Sequence, residues 1–173
     1  MRPDVTRRAD LRRPRPLRTG GVVACAALVV ALTGCGPVEL ATPDLDEADA
    51  ATCAALVADL PDTLAGEKPV DTEPEGAPGA AYGDPPIVVS CGAPEPEDFR
   101  ETADCLVVND VGWFVPPSQD ADNEADLVLT SAGYSPRLRV DVPAEYRPEG
   151  SAAVLAELAS VVSAHLDLVE RCV

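Results

Sequence analysis

Apolar and polar positions divide the first part of the chain into distinct segments. Residues 21–32 form an apolar run without a charge, and a basic, proline-broken stretch precedes it. A basic region followed by a short apolar region is the order found in secretory signal peptides. The run is shorter than the ~20 apolar residues that a membrane-spanning helix needs. The pattern predicts a removable signal peptide over residues 1–34, with an uncleaved anchor helix as the alternative.

Apolar residues recur at helical spacing in two later segments. The first covers about residues 46–60 and stops at Pro61, which cannot continue a helix. The second covers about residues 151–170, and its apolar stripe comprises Leu155, Leu158, Val162, Leu166 and Val169. Residues 35–45 and about 62–79 lack a hydrophobic period and contain Pro, Gly and acidic residues. We therefore expect a flexible tether at 35–45 and an exposed loop at 62–79.

Between the two helices lie short runs that are typical of strands. They cover residues 87–91, 105–108, 113–115, 126–130 and 137–142, and the last alternates apolar and polar positions. Turn residues such as Asn109 and Asp110 separate them. This order predicts a single α+β domain over residues 46–173, in which the N- and C-terminal helices pack on one face of a small, mostly antiparallel sheet of about four to five strands.

Charge restricts the partners of this domain. The whole chain has a formal net charge of -17, and from Cys35 onward it carries 6 basic and 28 acidic residues, a net of about -22. A surface of this sign repels the phosphates of nucleic acid. We therefore predict no nucleic-acid partner.

The apolar run ends in a sequence with a specific chemical meaning. Leu32, Thr33, Gly34 and Cys35 together resemble the lipobox of bacterial lipoproteins. Small residues before the cysteine let the backbone enter a signal peptidase, and the cysteine thiolate is the nucleophile that accepts a diacylglyceryl group. The sequence thus predicts a lipid on Cys35 and an extracytoplasmic location at the outer face of the cell membrane. General secretion and twin-arginine export both remain open as routes.

The other cysteines indicate disulfide bonds. With Cys25 in the signal and Cys35 carrying lipid, four are left: Cys53, Cys91, Cys105 and Cys172. An even number in an exported domain predicts two disulfides, which allow three connectivities. Cys53 and Cys172 both lie on apolar helical faces, and Cys91 and Cys105 flank a loop, so we expect Cys53–Cys172 and Cys91–Cys105. The chain has no Cys-x-x-Cys pair, and we predict neither a metal site nor a cofactor.

One segment carries a family resemblance. Tyr82, Gly83, Asp84, Pro85 and Pro86, followed by an apolar strand and Cys91-Gly92, resemble DUF3515, a family of actinobacterial exported proteins of unknown function. The resemblance extends from about Cys53 to Cys172, although Tyr82 replaces a common Trp and Gly133-Tyr134 replaces a common Gly-Arg. It implies export and an envelope location, and it implies no reaction.

Three residues are candidates for ligand binding. Asp84 lies in a stiff turn before Pro85 and Pro86 and could present a carboxylate, although such turn residues usually cap their own backbone. Trp113, together with Phe114, could line a groove for an apolar or peptide ligand, although in a chain with 3% aromatic residues they also suit the core. Tyr82, close to Asp84, is the third possible binding residue. The oxygen-rich acidic run at 120–126 could bind calcium, but it lacks the Gly and the distal Glu that an EF-hand calcium loop needs. We therefore expect a solvated acidic loop.

The function that these features favour is non-catalytic. We expect a membrane-anchored lipoprotein that binds or scaffolds another envelope component, either a protein or cell-wall material. One alternative is a hydrolase of envelope material that uses carboxylates such as Asp84 and Asp110, which would have to face one cleft. Another is a carrier of a small apolar ligand, which would need an internal cavity.

Overall fold

The computed structural model describes residues 36–170 except positions 101, 123 and 148. The predicted signal peptide, the predicted lipidation residue Cys35 and the predicted disulfide residue Cys172 lie outside the described residues. By its internal contacts, the chain from Cys35 to Val173 forms a compact unit of its own.

Three α-helices and one 3-10 helix form in the described residues. Helix α1 is Glu47–Ala58, α2 is Pro117–Asp120, the 3-10 helix is Ala144–Tyr146 and α3 is Glu149–His165. At the start of α1 the Asp46 carboxylate accepts a hydrogen bond from the Asp49 N–H at 2.8 Å, so a side chain satisfies one of the free amides of the first turn. Both predicted helices form, but α3 ends at His165, and Asp167–Leu168 form a strand instead of the last helical turn that the sequence predicted up to residue 170. Val169, which was expected on the apolar stripe, is exposed.

Eleven strands form in the described residues. They are β1 Val38–Glu39, β2 Pro69–Val70, β3 Thr72–Glu73, β4 Gly79–Tyr82, β5 Ile87–Cys91, β6 Leu106–Val108, β7 Val111–Phe114, β8 Leu127–Ser131, β9 Tyr134–Ser135, β10 Leu138–Val142 and β11 Asp167–Leu168. Seven form one sheet in the order β2-β4-β5-β10-β8-β7-β6, and all neighbours in it are antiparallel. The α+β prediction is confirmed, but the sheet has seven strands instead of four to five.

The core lies between one face of this sheet, called here the inner face, and the helices α1 and α3. Side chains alternate along β5 and β10, so that Val89 and Val140 are fully buried and face each other across the ladder. Helix α3 contacts α1, β6 and β7, whereas α1 contacts β4 and β5. The helices contribute Cys53, Leu56, Val154, Leu155, Leu158, Ala159, Val161 and Val162 to the same buried cluster.

The segment expected to be a flexible tether is attached to the domain from Val38 onward. Strand β1 pairs in parallel with β3, and the N–H groups of Val38 and Leu40 donate to the carbonyls of Asp71 and Glu73 at 2.7 Å. Leu40 is buried, and Leu45 packs against the core. Leu40 and Leu45 are too few to produce a helical or strand-like hydrophobic period, so the sequence did not predict this attachment.

The segment expected to be an exposed loop, 62–79, is also partly built into the fold. It contains β2 and β3, and Leu64 within it is fully buried beside a short bridge to Glu67. Strand β4 then begins at Gly79, whose hydrogen replaces a side chain that would collide with β5. Small residues at β4 hid the strand from the hydrophobic pattern.

The predicted disulfide pairing is wrong. Cys53 of α1 is bonded to Cys91 of β5, with the two Cα atoms 5.5 Å apart, so neither Cys53–Cys172 nor Cys91–Cys105 forms. The reason is that the Cys91 side chain points to the inner face, against which α1 packs. It does not point to the loop that leads from β5 to Cys105. Cys105 is also disulfide-bonded, and its partner lies outside the described residues.

Candidate functional site

The predicted binding residues Tyr82, Asp84 and Trp113 do not form a common site. Tyr82 is buried in the core, where its hydroxyl donates to the carbonyl of Pro61 at 3.0 Å. Burial raises the pKa of Tyr82 above its ordinary value of 10.0, and the negative charge of Asp62 adds to this effect. Trp113 is fully buried on the inner face, whereas Asp84 is exposed in the β4–β5 turn. The two aromatic residues are therefore part of the core.

The carboxylates Asp84 and Asp110 are far apart. The register places the β4–β5 turn at the end of the sheet where β10 finishes, and the β6–β7 turn at the opposite end, where β8 finishes. Strands β5 and β7 are also separated by β10 and β8, and three strand spacings alone amount to about 14 Å. A two-carboxylate glycosidase needs its acids about 5–10 Å apart, so this pair does not meet that requirement.

The acidic run at 120–126 holds its own loop together. The Arg147 guanidinium donates to the carbonyls of Asp122 at 2.5 Å and of Ala125 at 2.9 Å. The Asp126 carboxylate accepts from the Ala144 N–H at 2.9 Å, and the Asp122 carboxylate accepts from the backbone N–H two residues further on. Within the described ranges no three His, Cys, Asp or Glu residues are arranged to hold a metal ion.

The structure reveals a site that the sequence analysis missed, on the outer face of the sheet, which α1 and α3 leave uncovered. Two adjoining hollows of about 420 and 340 Å³ lie side by side across β5, β10 and β8, and both are lined by Pro94 and Arg139. We call them together the outer-face groove. Its floor comprises Val88, Ser90, Val128, Thr130, Arg139 and Asp141.

Two segments rise beside this floor as walls. One is the N-terminal segment that carries β1, from which Glu39, Ala41 and Pro43 line the first hollow. The other is the stretch 94–98, all of which lines the second hollow. The second wall is held at its base by the Ala93 N–H, which donates to the Arg137 carbonyl at 3.1 Å, and beyond it Phe99 packs edge-to-face on Phe114 at 5.3 Å. Both walls are therefore fixed by contacts with the sheet or its adjacent loops.

The charges at the groove are of two kinds. Arg139 and Asp141 point to the same side of β10 and form a two-pronged ion pair with distances of 2.9 and 2.5 Å, although they are 44% and 38% exposed. This hydrogen bond raises the pKa of Arg139 above its usual value, against the opposing effect of partial burial. Arg137 pairs with Glu95 of the wall at 2.6 Å.

Three further groove carboxylates have no such partner. Glu39 lies on one wall, and Glu97 and Asp98 lie on the other; all three residues are exposed, and none forms an ion pair within the described part of the chain. The groove thus combines a half-buried floor, a neutral pair at its centre and free negative charge on both walls.

One sequence signal did point to this face. The alternation along β10 placed Arg137, Arg139 and Asp141 together on a polar side, which is how a strand with one solvent-facing side is patterned. The pattern gave no sign that two distant segments rise beside that side. A groove formed by segments more than forty residues apart, such as Glu39 and Arg139, is not encoded in any local window.

The fold and the disulfide define the class of this protein. A disulfide between a helix and a strand indicates an oxidising, extracytoplasmic location for this α+β domain. None of the helices in the described residues is long and apolar enough to span a membrane. Residues 17–170 match the family described as protein of unknown function (DUF3515), so the chain belongs to that family. No curated protein and no solved structure matches the chain significantly.

Proposed function

We propose that this protein is a lipoprotein, anchored to the outer face of the cell membrane through Cys35, whose domain binds or scaffolds another envelope component without catalysing a reaction. The lipobox resemblance at residues 32–35 supports the anchor. The disulfide agrees with a compartment outside the cytoplasm.

The outer-face groove carries the binding part of this proposal. A half-buried sheet face between two fixed walls offers a preformed concave surface, which is the usual form of a binding site. Its central charged groups, Arg139 and Asp141, hold each other, so they are placed to support the surface and not to transfer protons. This arrangement suits recognition of a partner better than it suits a reaction.

The two alternatives have less support. The carrier alternative needs an enclosed cavity, but the space between helices and sheet is occupied by fully buried side chains that include Leu56, Trp113 and Leu158. The hydrolase alternative named Asp84 and Asp110, which lie at opposite ends of the sheet.

Anchoring is tested by the mass and location of the protein in its native cell. We expect intact mass to match residues 35–173 plus a diacylglyceryl group, and Cys35→Ser to abolish the lipid addition. Cys25→Ser is the matched control, because Cys25 lies in the predicted signal and its loss should leave the lipid in place. A purified membrane protein that keeps residues 1–34 would contradict the lipid anchor.

Binding at the groove is tested by photo-crosslinking in living cells. A photoreactive residue in place of Val88 or Val128, on the groove floor, should form covalent adducts with envelope material. The same residue in place of Asp110 or Asp167, which are exposed outside the groove, should not. Equal yields at all four positions would contradict a specific binding face.

A further inference from the structure

The free carboxylates on the walls of the outer-face groove suggest the chemistry of its partner. Glu39 on one side and Glu97 and Asp98 on the other are exposed and lack ion-pair partners among the described residues. Two neighbouring arginines are neutralised within the protein, Arg137 by Glu95 and Arg139 by Asp141. Arg100, just after the second wall, donates to the carbonyls of Glu97 and Phe99 at 2.8 and 2.6 Å and offsets one of the two charges of Glu97 and Asp98. An incoming ligand therefore meets one net negative charge at each wall, which attracts positive groups and repels acidic ones.

The size of the floor limits the shape of the partner. The groove crosses β5, β10 and β8, and two strand spacings are about 10 Å. This length corresponds to about three residues of extended chain. A peptide that crosses the floor can therefore place one basic side chain near Glu39 and another, about three residues away, near Glu97 and Asp98.

From these observations we infer that the outer-face groove binds an extended peptide segment with lysine or arginine side chains about three residues apart. This inference rests on the proposed binding function and specifies its partner. Val88 and Val128, the half-buried apolar part of the floor, contact the central part of the peptide backbone. The wall carboxylates pair with the lysine or arginine side chains of the peptide, and the Arg139–Asp141 ion pair remains intact beneath the peptide.

The experiment uses residues 35–173 with Cys35→Ser, because this part of the chain forms a compact unit. The probe is a capped heptapeptide of Gly and Ser that carries two lysines three residues apart. Two further probes replace both lysines with glutamine or with glutamate. Binding is followed by calorimetry and by amide chemical shifts in two-dimensional NMR spectra.

We expect the lysine peptide to bind and to change the amide chemical shifts of β5, β8 and β10. Its affinity should be lower at physiological salt than at low salt, because salt at that concentration screens charges more than about 8 Å apart. The triple variant Glu39→Gln/Glu97→Gln/Asp98→Asn should lower its affinity about tenfold, as expected for the loss of several exposed ion pairs. The control Asp110→Asn/Glu145→Gln/Asp167→Asn removes the same charge from exposed positions outside the groove, and it should change the affinity less than about twofold.

Three results would overturn the inference. The first is no binding of the lysine peptide, and the second is an equal loss of affinity in the groove variant and the control, which would mean attraction to the net charge alone. The third is equal binding of the glutamine peptide, which would leave the groove as a binding site but remove the requirement for basic side chains. Thermal unfolding of both variants, which change only exposed side chains, verifies that each is folded.

Discussion

The bond between Cys53 and Cys91 should supply a large part of the stability of this domain. It joins α1 to a central region of the sheet and closes a loop with a sequence separation of 38 residues. In the chain-entropy description, a crosslink of this length raises the free energy of unfolding by about 4 kcal/mol, because the unfolded chain has fewer conformations. Small domains are stable by only about 5–15 kcal/mol in total. Loss of the bond should therefore leave a marginal fold.

The test is the double substitution Cys53→Ala/Cys91→Ala in residues 35–173, unfolded with urea and followed by circular dichroism. Both side chains are buried, so alanine also removes some packing. The control that separates the two effects is the same comparison under strong reductant, where the native chain has lost its crosslinks as well. We expect a difference of about 5 kcal/mol without reductant, about 4 from the crosslink and about 1 from packing, and of about 1 kcal/mol with reductant, where only the packing loss remains. The same difference with and without reductant would refute the entropic reasoning, because the crosslink would then contribute nothing beyond packing.

Other changes test the packing, the titration and the remaining crosslink. Gly79→Ala should lower the free energy of unfolding by about 1–3 kcal/mol, because the added Cβ would lie 2.3 Å from a carbonyl oxygen of β5. The control Gly36→Ala should be neutral, because a Cβ there meets nothing within 4 Å. Equal effects of the two changes on the urea midpoint would refute this. Because the pKa of Tyr82 is raised in the folded state, stability should be kept below pH 10.0 and fall as pH rises above it. Tyr82→Phe should cost about 1 kcal/mol at neutral pH and reduce that alkaline loss, and an unchanged alkaline slope would contradict the assignment. If Cys25 is removed with the proposed signal peptide and Cys35 carries the proposed lipid, Cys172 is the partner left for Cys105. Non-reducing peptide mapping should then join Cys105 to Cys172, and a free thiol on Cys172 would exclude this pair.

The elements that the sequence predicted are those whose own residues carry the signal. Strand β10 alternates apolar and polar residues without interruption, and α3 has an apolar stripe from Val154 to Val162. The turn at Asn109 and Asp110 was also predicted, and both residues adopt the left-handed conformation that such short hairpin turns require. Local patterns were sufficient wherever packing and local preference agree.

The parts that were missed depend on distant segments. Strand β4 contains Gly79, Ala80 and Ala81, which are poor strand formers on their own and become a strand only because β5 lies beside them. The disulfide pairing depends on which face of β5 meets α1, and cysteine spacing does not contain that information. The outer-face groove needs three strands and two walls from separate parts of the chain, so no single pattern could reveal it.

The position of β10 in the sheet also determines when the fold can be completed. Strand β10 lies between β5 and β8, although it follows both of them in the sequence. Before it arrives, β2-β4-β5 and β8-β7-β6 are two separate antiparallel units, each with an open edge that could pair with another chain. Closing the sheet then requires nonlocal contacts, which form slowly. On a chain that emerges from its N-terminus, the two halves of the sheet are joined only after Val142 has emerged, and until then protection from aggregation has to come from outside the domain.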